Sequence, residues 1–351
     1  MKIRVFLIML VFVCMTGAGP RARGTKGAPL GTKGEWVKLE IKTAGQNLVS
    51  ALAVDRTNGD IYILPHAGTV HSFKGSQGMW KSTDKGVTFT QVDKTAVTGG
   101  GWNSFCIDID LEQTGRLAVF PMYGTGAMTL DAGKTWQKFG EVKPRGSDYG
   151  SVDWSDPKAQ TVYCCAHEAE PGQHVSFDSG KTWAVLAKPG CVSIGVLASK
   201  TLLVSHNGLQ RSTDAGKTWT GVKGTSPRSK VVRKFNGKFY FLTNGRLLVS
   251  EDEGLNWKIQ GIAAPDIDAW AGPYFGKDEN HILQVGPKGV YETLNAGKTW
   301  ALVTTLPDTY KGKFGDRSRS FRNGPNFGYD HVNNIMYVAM LGVPCYRFER
   351  K

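Results

Sequence analysis

The sequence predicts an all-β fold, a single seven-bladed propeller of four-stranded blades, and three observations carry that expectation. An eight-residue pattern recurs six times, strand-length apolar runs precede the copies, and the two chain ends supply complementary parts of one more blade. With 40% hydrophobic and 11% aromatic residues the chain is too apolar for disorder, and its glycines follow no collagen period.

The pattern opens as Ser82-Thr-Asp84-Lys-Gly86-Val-Thr88-Phe89 and returns at 129–136, 176–183, 212–219, 250–257 and 293–300. Its carboxylate position is filled by Asp84, Asp131, Asp178, Asp214, Asp252 and, in the last copy, Asn295, at intervals of 47, 47, 36, 38 and 43 residues. Periods of this size mark repeat architectures. A hydroxyl and a carboxylate two residues apart can cap backbone N–H groups in a tight turn, and the glycine supplies a positive φ. The closing Trp or Phe starts the next strand and can bury a large apolar area between repeats. Strand-like runs lie upstream, such as 116–120 (Arg-Leu-Ala-Val-Phe) and 238–242 (Lys-Phe-Tyr-Phe-Leu). Four short strands per repeat, with the turn between the third and fourth, make a propeller blade.

The ends complete the count. After the last copy, 334–339 and 344–348 read as a strand pair without a turn pattern, and 34–41 reads as the strand that should follow one. Joined, they form a seventh blade and leave no open sheet edge. Residues 35–350 are therefore assigned to the propeller, at about 45 residues per blade.

The eight-residue copies resemble the Asp-box, or bacterial neuraminidase repeat, S/T-x-D-x-G-x-T-W, shared by sialidases, xyloglucanases, sortilin-type receptors and propeller-type photosystem II assembly factors. The resemblance covers nearly the whole chain after its N-terminal segment. It implies a propeller whose boxes lie opposite the functional mouth, so that the six box Asp and Asn residues are structural. It implies little about activity.

Residues 1–18 read as a secretory signal: Lys2 and Arg4 precede an apolar stretch at 5–13, and Thr16-Gly17-Ala18-Gly19 offers small residues for cleavage. That stretch is shorter than the ~20 residues that cross a bilayer. Acylation at Cys14 is disfavoured by the bulky Val13 before it. A glycine-rich lead-in, 19–34, follows. The expected product is a secreted or periplasmic monomer with no membrane span. Cys106, Cys164, Cys165, Cys191 and Cys345 remain after cleavage, an odd number without a CxxC pair, so a cysteine zinc site is disfavoured. Cys164 and Cys165 point to opposite faces of one strand. The reading is buried thiols with at most one bridge.

A net charge of +13 leaves nucleic acid and acidic glycans open by charge alone, but no nucleic-acid module is recognisable. Lys134, Lys181, Lys217 and Lys298 share one box position with Lys85 nearby, which forms a basic ring on the box face. In a blade with strands a to d, the a–b and c–d turns share one face, while the b–c loops and d–a crossovers share the other. His66, His71, His167, His174 and His206 fall on that second face without recognised metal spacing, and no cofactor is implied.

The crossovers carry Trp102 and Asn103, then Arg145, Asp148 and Tyr149, then Asp266, Asp268 and Trp270 with Tyr274, then Asp316, Arg317, Arg319 and Arg322. Aromatic faces beside carboxylates and arginines suit sugars. Asp148 and Asp268 are the candidate catalytic pair for hydrolysis, with Asp153, Asp266 and Asp316 behind them; inversion needs carboxyls about 6.5–9.5 Å apart and retention about 5–5.5 Å. Trp102, Asn103, Arg145, Tyr149, Trp270, Arg317, Arg322, His167 and His206 are the candidate substrate contacts. Sialidase chemistry is disfavoured, because no Phe-Arg-Ile-Pro-like opening is present and the arginines are bunched. The expected function is glycan binding at the mouth opposite the boxes, with hydrolysis left open; the alternative is a non-catalytic protein-binding or assembly platform.

Overall fold

The structure is a computed structural model and describes residues 32–41, 49–65, 78–99, 106–143, 146–168, 172–186, 193–205, 208–223, 229, 231–265, 271–310, 326–340 and 343–351. The first strand, β1 (Trp36–Lys38), belongs to the last blade. Blade 1 comprises β2 (Val49–Val54), β3 (Ile61–Pro65), β4 (Trp80–Ser82) and β5 (Thr90–Gln91); blade 2 comprises β6 (Ile107–Ile109), β7 (Leu117–Val119), β8 (Ala127–Thr129) and β9 (Gln137–Lys138). Blade 3 holds β10 (Ser147–Val152), β11 (Val162–Ala166), β12 (Gln173–Ser176) and β13 (Ala184–Leu186); blade 4 holds β14 (Ser193–Ala198), β15 (Thr201–Ser205), β16 (Leu209–Ser212) and β17 (Thr220–Val222). Blade 5 runs through β18 (Arg233–Phe235), β19 (Lys238–Thr243), β20 (Arg246–Ser250) and β21 (Lys258–Gln260), and blade 6 through β22 (Ala271–Phe275), β23 (Ile282–Gly286), β24 (Gly289–Thr293) and β25 (Ala301–Thr304). Blade 7 consists of β26 (Asn326–Asp330), β27 (Ile335–Met340) and β28 (Val343–Glu349), with β1 paired antiparallel to β28 as its outer strand. One 3-10 turn, Asp308–Tyr310, is the helical element among the described residues, and no described helix is long and apolar enough to cross a membrane.

Blade faces stack on each other, so strands in the middle of a blade are buried on both sides and read as continuous apolar runs. Residues of β3, β11 and β27 are all buried, whereas the outer β13, β17 and β21 are largely exposed. Phe120, Met128 and Phe139 of blade 2 meet Val152, Val162 and Cys164 of blade 3, and Tyr163, Cys165 and Val175 meet Val196, Leu202 and Val204 across the next seam. Blade 7 packs tightly on blade 1: a Cβ on Gly328 would lie 2.3 Å from a Val54 methyl, and the Asn326 amide donates to Ser50 O at 3.1 Å.

Each box turn satisfies its own backbone. In the first, Ser82 Oγ donates to Asp84 Oδ1 at 2.8 Å, Gly86 N donates back to Ser82 Oγ at 2.9 Å, and the Thr88 amide and hydroxyl donate to the two Asp84 oxygens at 2.8 and 2.6 Å. The sixth box keeps this shape with reversed polarity, because Asn295 Nδ2 donates to Thr299 Oγ1 at 2.9 Å. The box glycine has no substitute at Gly180, whose φ is +82° and whose added Cβ would lie 2.3 Å from the Phe139 ring. Hydroxyl and amide donors hold the box carboxyls low: Thr218 and then Ser212 bring Asp214 down to about 2.

The rim indoles join neighbouring blades. Trp136 Nε1 donates to Val92 O at 3.0 Å, Trp183 to Gly140 O at 3.2 Å, Trp300 to Ile262 O at 3.1 Å and Trp36 to Thr305 O at 2.7 Å, each one blade back. Trp219 and Trp257 instead donate at 3.0 Å to Gly216 O and Gly254 O of their own boxes.

Cys106, Cys164 and Cys345 are free and buried, and burial pushes the Cys106 thiol up to about 12. Cys165 is disulfide-bonded.

Candidate functional site

The face assignment follows from backbone bonds. Ala132 N donates to Gly115 O, Ser179 N to Gln160 O, Ala215 N to Lys200 O and Ala296 N to Asn280 O, so box turns lean on a–b turns of their own blades. The b–c loops and the starts of the inner strands therefore form the opposite mouth.

There the structure brings Asp148, His167 and Tyr123 together across blades 2 and 3. Asp148 sits at a register shift of β10, where Ser147 pairs with Ala166 but Tyr149 pairs with Cys165. Such a bulge turns one side chain out of the pleat. The Asp148 carboxylate lies 2.7 Å from His167 Nδ1, and His167 Nε2 lies 3.1 Å from the Tyr123 hydroxyl. A carboxylate can only accept, so Nδ1 carries the proton toward Asp148; in the neutral ring Nε2 then accepts from Tyr123. The Tyr123 and His167 rings meet edge to face at 4.9 Å, and Glu168 Oε1 lies 3.8 Å from Nε2.

Tyr123 is 39% exposed and holds φ +53°, a left-handed conformation that costs a side-chain-bearing residue about 1 kcal/mol. Its loop is pinned from both sides: Thr98 N donates to Thr125 O at 3.0 Å, Thr125 N to Thr98 Oγ1 at 2.9 Å, and Ser147 N to Pro121 O at 3.2 Å.

Of the other expected contacts, Tyr149 is 5% exposed and its ring packs between blades 3 and 4, where burial pushes its hydroxyl up. Asp153 is buried and caps its turn by accepting from Ser155 N at 3.1 Å. His174 is buried on the c strand, and burial pushes its imidazole down. Trp102, Asn103, Arg145, Asp268, Trp270, Arg317, Arg322 and His206 lie outside the described residues, as do His66, His71, Asp266, Asp316, Arg319 and the segment 1–18. Among the described residues no group of three or more His, Cys, Asp or Glu could hold a metal ion.

Sequence reasoning missed Tyr123, which stands in a b–c loop and matches no motif. It also missed Asp108, a buried inner-strand carboxylate. Asp108 Oδ2 accepts from Val152 N at 2.9 Å and Trp154 Nε1 at 3.1 Å, and Oδ1 faces Arg233 at 3.4 Å. Burial raises its carboxyl to about 6 against the pull of Arg233 and these donors.

Fold and site together define a seven-bladed propeller with box turns on one face and a strained aromatic and acid–imidazole cluster on the other. No family model matches the chain. A stretch of 199 residues is 24% identical to an oligoxyloglucan-reducing end-specific xyloglucanase of Emericella nidulans, covering 45% of this chain and 25% of that enzyme. The chain thus spans about a quarter of that relative's length. Among solved structures, YCF48 bound to a D1 peptide matches with a TM-score of 0.51 at 13% identity, over 93% of this chain and 98% of that one. The extracellular domain of a hybrid two-component system of B. thetaiotaomicron matches with a TM-score of 0.52 at 11% identity, over 86% of this chain and 40% of that one. These structural likenesses concern fold alone. The chain resembles the sialidase and xyloglucanase type of propeller, with a glycoside-hydrolase relative of low identity.

Proposed function

We propose that this protein is an exported glycan-binding propeller whose mouth opposite the boxes takes a sugar through Tyr123, His167 and Asp148. The observation that carries the reading is the exposed Tyr123 ring held beside an ordered imidazole–carboxylate pair. A pyranose can lay its C–H face on such a ring while its hydroxyls donate to the Tyr123 oxygen and to the Asp148 and Glu168 carboxylates. The xyloglucanase relative supports a neutral plant-type glucan as the first candidate. Export is supported by the basic and apolar N-terminus and by the Cys165 disulfide, since such bonds persist in oxidising compartments. Hydrolysis belongs to the same proposal only if a second carboxylate acts with Asp148. Asp148, fixed by an imidazole N–H, is suited to the base or nucleophile role rather than the acid.

The test is calorimetric titration of the mature chain with xyloglucan oligosaccharides and a panel of neutral and acidic glycans, with product analysis alongside. Saturable binding that is lost in Tyr123→Ala supports the reading. Absence of binding to every glycan, or binding untouched by Tyr123→Ala and His167→Ala, overturns it. The second reading is a protein-binding platform. It is favoured by the lysines repeated at one box position, Lys134, Lys181, Lys217 and Lys298, and by the likeness to a peptide-bound propeller over most of both chains. Reversing those charges separates it, because the glycan site lies on the other face.

A further inference from the structure

The central channel holds a polar feature that the mouth does not use. On its box-face half, residues of blades 1, 2, 5, 6 and 7 line a partly open cavity of about 40 Å³. Leu52, Ile109 and Phe327 supply apolar walls, while Arg56, Arg233 and Tyr274 supply polar ones; no described carboxylate lines it.

Arg56 leaves the a–b turn of blade 1 and crosses the axis. Its Nη1 donates to Leu111 O of blade 2 at 2.9 Å, its Nη2 donates to Gly276 O of blade 6 at 2.5 Å, and its guanidinium lies 4.4 Å from the Phe235 ring centroid of blade 5. Its Nε is buried and makes no hydrogen bond. Arg233 of blade 5 lines the same cavity. Its ion pair with Asp108 is long, 3.4 Å through one nitrogen, and the second oxygen of Asp108 is already occupied by Val152 N and Trp154 Nε1. Two guanidinium groups thus face one small space; Asp108 is the carboxylate paired with Arg233, and Glu112 and Asp55 act on Arg56 without an ion pair among the described residues. Cations removed from water need a counter-ion or donors matched to one.

We propose that the axial cavity binds one monovalent inorganic anion of halide size between Arg56 and Arg233. The volume is above the ~10–15 Å³ that one water needs and far below that of a sugar ring. Tyr274 closes the third side. The ion ties blades 1, 5 and 6 across the axis, so it acts on the closure of the wheel and is independent of the glycan reading. A ligand that binds only the folded chain raises stability with its concentration.

The test compares thermal unfolding of the full mature chain in sodium chloride, sodium bromide and sodium gluconate at equal ionic strength. Crystals soaked in bromide supply a direct view by anomalous scattering. The expected result is a saturable rise of several degrees with halide over gluconate, its loss in Arg233→Gln, and a bromide peak between the two arginines. Equal melting in all three salts, a halide effect unchanged in Arg233→Gln, or a soaked crystal without axial bromide would overturn the proposal. If Arg233→Gln does not fold, the bromide peak in the unaltered chain decides.

Discussion

On the box face, each box turn closes its hydroxyl and carboxylate hydrogen bonds within four residues, and six copies do so in nearly the same way. At the opposite mouth, Tyr123 and His167 are 44 residues apart and come from different blades, and Asp148 reaches His167 because its strand is bulged. The contrast teaches that repetition here marks a local solution to a stability problem, whereas the unlike polar groups gather where the repeat is broken. A turn that must form in six blades is selected for its own geometry. A site needs unlike groups, and seven equivalent loops cannot all supply them.

The contrast can be broken most strongly on the box side. Arg116 is buried in the a–b turn of blade 2, pairing with Asp110 at 2.7 Å and donating to Trp154 O and Asp156 O of blade 3. Arg116→Met leaves Asp110 as a buried charge without its partner and should cost about 3–5 kcal/mol in urea unfolding. Ligand affinity at the mouth should stay within about twofold. Asp131→Ala removes the acceptor for Thr129 Oγ1, Thr135 N and Thr135 Oγ1 and should cost about 2 kcal/mol by the same measurement. Asp131→Asn should recover more than half of that loss, because the sixth box already works with Asn295.

At the mouth the ordering inverts. His167→Ala should weaken glycan binding about tenfold, about 1.4 kcal/mol, while shifting the melting temperature little. Asp148→Asn should have an intermediate effect on affinity, since the ring keeps a neighbour but loses the carboxylate that fixes its tautomer. If His167→Ala unfolds the chain as readily as Arg116→Met, the division of labour between the faces is wrong.

The smallest effect at neutral pH is the acid response. Burial works upward on Glu292, but hydrogen bonds from His281 and Arg350 outweigh it and bring its carboxyl from 4.5 to about 2. A depressed carboxyl stabilises the fold fully above its unfolded value and loses that contribution as pH falls through its folded one. Stability should therefore drop between about pH 4.5 and pH 2, and Glu292→Gln should flatten this limb in urea midpoints taken across that range. The box aspartates Asp178 and Asp214, also near 2, act in the same direction.

Much of the wheel was legible before any coordinates. The box residues and the spacing between copies fix the turns, and the apolar runs ahead of them fix the strands. Asp148 and His167 were visible as polar residues of the face opposite the boxes, because topology alone sorts loops to one side or the other. Their partner Tyr123 was not, since an isolated tyrosine in a Gly-rich loop carries no pattern. Tyr149 shows the converse: its place in a crossover suggested display, but the bulge at Asp148 turns Tyr149 into the seam between blades 3 and 4. Asp108, Arg56 and Arg233 were equally silent, because no motif links residues that meet only across the axis.

By itself the sequence determined the blade and its turn, since those depend on bonds between residues two to four positions apart and on strands adjacent in the chain. Only the tertiary structure decided which side chains face one another over the channel and around the mouth. Arg56 reaches Gly276 across 220 residues, and Asp108 meets Arg233 across 125. Such pairs exist only once closure of the ring has set the distances between blades, and no local rule of propensity or spacing encodes that closure.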